Sequence, residues 1–249
     1  MPTPPEGLRE HELEPGVLSW VLDTPARRNA IHPSMFEWIT ARCIDLRGEV
    51  VILRGAGDRV FTSGFDLTAL ADPKLFQQPH PPDEALIRAT TAIHTADATF
   101  VAALNGAVVG AGVELISVCD FRLACHGASL RLPAGKLGVV YHAAGLTRIH
   151  AAFGPTITRR LLLAGEKVEI TDVRASLCAL VQLDQLDAEA RALAQRIRAQ
   201  SARSVAGNRK LLRALDLTAL PPDVLNAHAQ TRREAYRHLA PSPAASRDE

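Results

Sequence analysis

The chain of 249 residues lacks an excess of either charge: 28 lysines and arginines stand against 27 aspartates and glutamates, a formal charge of +1. Proteins that work by bulk attraction to nucleic acid or an anionic membrane carry a strong positive balance, so neither partner is expected. A local cationic pocket is not excluded. Lysine is scarce (Lys74, Lys136, Lys167, Lys210), so the positive charge is mostly arginine. Cysteine is scarce too, and Cys43, Cys119, Cys125 and Cys178 form no C-x-x-C pair and no metal spacing. They read as reduced, buried, small apolar residues of a cytosolic protein. No window approaches the ~20 apolar residues that span a bilayer. Residues 1–12 hold prolines and glutamates but no apolar core, so no signal peptide is read there. The expected location is cytoplasmic. No internal repeat is visible.

What is present is a chain that is 47% hydrophobic, long enough for one large domain or a domain with a small appendage. Gly16 to Leu22, Val50 to Leu53 and Phe100 to Leu104 are apolar runs of strand length. Pro33 to Leu46 has helical spacing with proline in its first turn. Phe61 to Leu67 reads as a tight bend leading into a short helix, and Glu84 to Thr95 as a helix. Phe121 to Cys125 and Ser129 to Leu132 read as paired short strands. Helical patterns dominate afterwards: Ala143 to Phe153, Pro155 to Leu163, Asp187 to Gln200, Ser201 to Leu215 and Pro222 to Leu239. Asp72 to Asp83, with four prolines, reads as a mobile loop, and the Pro/Ser/Ala-rich tail as disordered. Strands with helices followed by helices alone predict an α/β core and a helical C-terminal region.

Three segments put small residues where a backbone N–H could be used. Phe61-Thr62-Ser63-Gly64-Phe65-Asp66-Leu67 follows a strand, and Gly64 permits a sharp bend that would leave the Phe65 N–H free at a helix start. Gly110-Ala111-Gly112-Val113-Glu114-Leu115 repeats the arrangement, with Ala111 between two glycines. Two such N–H groups aimed at one carbonyl oxygen form an oxyanion hole. The third segment is Leu132-Pro133-Ala134-Gly135-Lys136-Leu137-Gly138, ahead of Tyr141-His142. The second segment is not a dinucleotide fingerprint, since position 115 is leucine, and no Gly-Lys-Ser/Thr marks a phosphate loop.

Together these stretches resemble the enoyl-CoA hydratase/isomerase (crotonase) family. The resemblance begins at Pro25-Ala26-Arg27-Arg28-Asn29-Ala30 and takes in Val51 to Gly55, Phe61 to Leu67 and Asn105-Gly106. It continues through Gly110 to Leu115, Asp120 to Ala124, Pro133, Leu137-Gly138 and Phe153 to Gly165, in order, across roughly residues 16–215. It implies an α/β spiral of β-β-α turns over residues 1–200, a helical C-terminal region at 201–240 and a disordered tail at 241–249. It also implies assembly as a homotrimer or hexamer, an acyl-CoA thioester as ligand, and no cofactor beyond the coenzyme A of the substrate. The family's oxyanion hole aligns with the N–H groups of Phe65 and Ala111, flanked by Ser63, Gly64 and Gly110. Its CoA nucleotide segment aligns with Arg27, Arg28 and the Ala30 carbonyl, with Asp66 and Leu67 along the same channel. Arg209 and Lys210 align near the CoA phosphates.

Family hydratases use two glutamates. Glu114 matches the one that holds the attacking water; the other, directly after Pro133, is Ala134 here. A methyl group transfers no proton, which counts against isomerisation through that position. Tyr141-His142 replace a Pro-Gly common in the family, so either could reach the acyl pocket as an accessory group. Asp120 reads as structural, and His94, His126 and His150 as surface residues. Three functions stay open: hydration (or isomerisation) of a 2-enoyl-CoA through Glu114, decarboxylation or other enolate chemistry using Tyr141/His142, and acyl-CoA binding without catalysis.

Overall fold

The fold is that of a computed structural model, which describes residues 2–69, 83–216 and 221–239. A hairpin opens it: β1 (Leu8–Glu14) pairs antiparallel with β2 (Val17–Leu22). The polar run of β1 gives little sequence signal because it is an edge strand, and Leu8 is its one buried residue. Helix α1 (Pro33–Ile44) carries the chain to β3 (Glu49–Gly55), parallel to β2. The His32 ring caps α1 by accepting the Ser34 N–H at 3.2 Å, and proline occupies the first turn.

Three turns then follow one plan. The first is β3, β4 (Val60–Thr62) and α2 (Glu84–Thr95). The second is β5 (Ala98–Leu104), β6 (Ala107–Val109) and α3 (Ala111–Ser117). The third is β7 (Phe121–Cys125), β8 (Ser129–Arg131), a 3-10 turn at Pro133–Leu137 and α4 (Ala143–Leu162). The first strand of each turn joins a six-stranded sheet and the second a four-stranded one. With β9 (Lys167–Glu169) and β10 (Ala179–Val181), the orders are β1-β2-β3-β5-β7-β10 and β4-β6-β8-β9. This is the expected spiral of β-β-α turns. It corrects one expectation, because β7 and β8 do not pair with each other. Each pairs in parallel with its counterpart one turn earlier, β7 with β5 and β8 with β6. A short loop between two strands reads as a hairpin, and only the long-range pairing reveals the spiral.

Every residue of β5 is buried, the continuous apolar run expected of a strand covered on both faces. Trp20 packs edge-to-face on Trp38 and Phe100, with ring centroids 5.1 and 5.7 Å apart. Helix α4 breaks at Gly154 (φ 76°, ψ 169°), just before Pro155, where the sequence separates two helices. Helix α5 (Leu183–Arg198) lies against β3, β5 and β7; α6 (Ala202–Leu215) and α7 (Pro222–Leu239) follow. The expected proline-rich loop, apart from Asp83, and the tail from 241 onward lie outside the described residues, as does any helix beyond Ala69. Among the described residues no helix is long and apolar enough to cross a membrane, and no group of three or more His, Cys, Asp or Glu could hold a metal.

Candidate active site

The first glycine turn is stitched to the segment 27–31. The Ser63 N–H donates to the Arg28 carbonyl at 2.9 Å and the Thr62 hydroxyl to the Asn29 carbonyl at 2.5 Å. Ile31 donates to the Gly64 carbonyl at 2.8 Å and Asp66 to the Ile31 carbonyl at 3.0 Å. The Gly64 N–H donates to the Thr62 hydroxyl at 3.0 Å, so the amides on either side of Phe65 are both used, while among the described residues no such bond takes its own. Arg28 and Asn29 hold left-handed φ values of 54° and 56°, and the buried Asn29 amide donates to the Ala56 and Val60 carbonyls, both at 2.9 Å. Asparagine tolerates that conformation when its side chain is bonded locally.

The second glycine turn faces the first. Gly64, at φ +94°, is the point of contact: a Cβ there would stand 2.6 Å from the Val109 carbonyl and 3.2 Å from the Ala111 nitrogen. Only glycine supplies both the positive φ and the space. The neighbouring bonds run from Gly110 N–H to the Arg131 carbonyl (2.9 Å) and from Val113 N–H to the Gly110 carbonyl (2.9 Å). Ala111, the first residue of α3, is passed over as Phe65 is. The structure thus brings together the two amides that the sequence singles out.

Glu114 follows within the first turn of α3 and is completely buried. Its Oε2 lies 3.0 Å from His142 Nε2, and its Oε1 lies 3.0 Å from the Thr90 hydroxyl and 3.7 Å from Arg148 Nη1. Arg148 in turn donates to the hydroxyls of Thr90 (2.9 Å) and Thr91 (3.0 Å). The Thr90 proton has a second acceptor in reach, the Leu86 carbonyl at 2.9 Å. Burial pushes the Arg148 guanidinium below its usual pKa, opposed by the Glu114 charge. His142 is the N-cap of α4: its Nδ1 accepts the Gly145 N–H at 3.0 Å. It is buried, not the solvated loop residue that its position also allows. Thr90 and Arg148 carry no sequence signal of their own, since each stands on a helix of ordinary pattern and meets Glu114 only through the packing of α2, α3 and α4.

The third segment forms the 3-10 turn with Ala134 buried within it. Tyr141 is partly buried against the core, its ring stacked on His142 at 5.9 Å and 15°. Helix α7 reaches this loop, with His228 Nε2 2.6 Å from the Tyr141 carbonyl, and Arg232 of the same helix pairs with Asp83 at the start of α2.

At the other end, Arg27 Nη1 pairs with Asp66 at 2.6 Å, and its side chain is half exposed. Burial acts to raise the Asp66 pKa, but the Thr68 hydroxyl and amide, then the Arg27 and His32 charges, outweigh it and hold the carboxyl below its usual value. Arg28 and Leu67 are exposed beside it. The Ala30 carbonyl accepts the Thr24 hydroxyl at 3.0 Å. Arg209 is a correction. It does not point a free guanidinium at a phosphate site: it holds Asp120 at 2.9 Å and the carbonyls of Ala96 (2.6 Å) and Ile93 (3.1 Å). Asp120 is structural as expected, also accepting the Phe100 N–H at 2.8 Å. Lys210 beside it is exposed. His126 and His150 are on the surface, but His94 is half-buried, and Cys178 is exposed where a buried residue was expected.

Comparison with known proteins gives this arrangement its context. The sequence pattern described as enoyl-CoA hydratase/isomerase matches residues 12–238. Carnitinyl-CoA dehydratase of Salmonella heidelberg is 27% identical over 204 residues, 80% of this chain and 77% of that protein. The same enzyme of Shigella flexneri is 33% identical over 119 residues, 48% of this chain and 45% of that one. Among solved structures, methylmalonyl-CoA decarboxylase superposes with a TM-score of 0.81 at 20% identity, covering 93% of this chain and 90% of that one. An enoyl-CoA hydratase/carnithine racemase of Magnetospirillum magneticum gives 0.77 at 25% identity, covering 95% and 89%. The chain belongs to the enoyl-CoA hydratase/isomerase family and is an acyl-CoA enzyme of the crotonase superfamily.

Proposed function

We propose that this enzyme forms an enolate on an acyl-CoA thioester, held by the Phe65 and Ala111 N–H groups, and that the reaction served is loss of CO2 from a 2-carboxyacyl-CoA. The observation that carries this reading is the state of Glu114: fully buried, both oxygens bonded, with a methyl group at Ala134 where a second carboxylate would stand. Hydration of a 2-enoyl-CoA needs one group to take a proton from water and another to deliver one to C2. Neither is presented here. Decarboxylation needs no base. The electron pair of the C2–carboxylate bond moves into the C1–C2 bond, the thioester oxygen takes the negative charge, and CO2 departs. C2 then takes a proton from water or from a nearby acid, for which Tyr141 is the candidate. Each amide donor aimed at the oxyanion is worth about 3 kcal/mol at the transition state in a site without bulk water.

In this reading Arg27 and Arg28 meet the CoA phosphates, the Asp66–Leu67 stretch lines the channel, and coenzyme A enters as part of the substrate. The exposed leucines of α6 (Leu211, Leu212, Leu215) suit a face shared between copies in a trimer.

Hydration or dehydration is the second reading, favoured by the dehydratase activity named for the Salmonella relative. One experiment separates the two. Malonyl- and methylmalonyl-CoA are assayed for CO2 release, and short-chain 2-enoyl-CoA thioesters for loss of enoyl absorbance. Faster turnover of the 2-carboxyacyl thioesters is expected, with Glu114→Gln lowering CO2 release less than tenfold. Faster hydration, abolished by Glu114→Gln, overturns the reading. Calorimetric binding of acyl-CoA without any turnover leaves a binding protein.

A further inference from the structure

Each oxygen of Glu114 has a polar neighbour on a different element. The Thr90 and Arg148 contacts crowd Oε1, while Oε2 meets the His142 ring. The ring's orientation is set from its other side. Gly145 N–H donates to Nδ1, so Nδ1 carries a lone pair and the ring proton sits on Nε2, aimed at Glu114. The α4 cap therefore fixes both the tautomer and the direction of the proton. Gly145 makes room for this. A Cβ there would stand 2.8 Å from both Glu114 Oε2 and His142 Nε2. The ring and the carboxylate close over a position that has no side chain.

We propose that His142 is the specificity-determining residue of this site: its imidazole takes the Glu114 oxygen that a water molecule would otherwise use, and so withholds the carboxylate from water chemistry. The role is distinct from that of Ala134. Ala134 removes the second proton carrier, whereas His142 plugs the first. Restoring a glutamate at 134 alone leaves Glu114 sealed. The assignment rests on the enolate reading above, because it concerns which reaction the same oxyanion site supports.

The test uses the full chain and asparagine in place of His142. Asparagine is a good N-cap, able to accept the Gly145 N–H, but too short to span to Glu114. Turnover of a short 2-enoyl-CoA is measured for wild type, A134E, H142N and the A134E/H142N double variant. The double variant is expected to hydrate the thioester at least tenfold faster than wild type or A134E, and Glu114→Gln added to it should remove the gain. Equal hydration by A134E alone, or no gain in a double variant that melts cooperatively and still turns over some CoA thioester, overturns the proposal.

A second measurement needs no turnover. In histidine-selective 15N spectra of the wild type, the His142 signals are identified by their loss in H142N. They are expected to show protonated Nε2, unprotonated Nδ1 and an Nε2 proton in slow exchange with water. Glu114 is the charged group that meets the ring, with Arg148 on the other oxygen of that carboxylate, Tyr141 stacked beside the ring and His228 on the Tyr141 carbonyl. A protonated Nδ1, or an Nε2 proton in fast exchange, overturns the proposal whether or not the protein turns over a thioester. If no variant turns over any thioester while the spectra are as expected, it is the enolate reading that has failed.

Discussion

Glu114 and Asp120 are two sequestered carboxylates on either side of the C-terminal half of α3, each facing arginine, and they hold different elements together. Glu114 gathers Thr90 from α2, and His142 and Arg148 at and within the start of α4. All its partners belong to the spiral. Asp120 gathers Arg209 and Arg213 from α6, and those two side chains also bind the Ile93, Ala96 and Val118 carbonyls. Arg213 is the buried residue of α6, so this cluster fastens an otherwise exposed helix. Carboxylate and arginine alone therefore do not define a role. At Glu114 the contact set shapes the candidate site, while at Asp120 it docks a C-terminal element.

The largest effect is expected from Asp120→Ala. It leaves Arg213 and Arg209 without their counter-ion, and removing one partner of a buried pair costs about 3–5 kcal/mol. Urea unfolding should show that loss, and proteolysis should cut first within α6. Unchanged stability would mean that the backbone carbonyls alone hold the helix. Glu114→Gln should cost less, about 2 kcal/mol, because the Arg148 separation of 3.7 Å is longer and the amide oxygen can still accept one hydrogen bond. A loss as large as that of Asp120→Ala would erase the distinction between the two clusters. Gly145→Ala should cost about 1–2 kcal/mol by overpacking Glu114 and His142, with α6 still resistant to protease.

A pH dependence reads both clusters at once. His94 is held down to about 4, first by burial, then by the charges of Arg213, Arg148 and Arg209, with Asp120 opposing. Its unfolded value is near 6.5. Between those values the unfolded chain binds a proton that the folded protein refuses, so stability falls as pH drops from about 6.5 to about 4. The contribution of Asp66 is lost only below its ordinary value of 3.8, outside that window. His94→Gln should flatten the melting temperature across the window, and an unchanged slope would assign it to other groups.

The helices and buried strands were legible because their signals are local. Pro33 and the apolar offsets of α1, the unbroken apolar run of β5 and the Gly154-Pro155 break all appear within one stretch of chain. The three-residue strands β4, β6 and β9 and the polar edge strand β1 were not, since their pairing partners lie far away in sequence. Both oxyanion candidates were legible through their glycines. The environment of Glu114 was not: a threonine, a histidine and an arginine on separate elements share no motif.

By itself the sequence determined the family resemblance, the long helices and buried strands, the candidate amides at Phe65 and Ala111, and the absence of a second carboxylate at Ala134. These follow from local backbone freedom, periodicity and side-chain identity, which are properties of short segments. Tertiary structure alone decided that β7 and β8 belong to different sheets, that Arg209 serves Asp120, and that His142 closes over Glu114. Those outcomes depend on which buried polar groups are brought within about 3 Å of one another, because a buried donor or acceptor must find its partner wherever the fold places it.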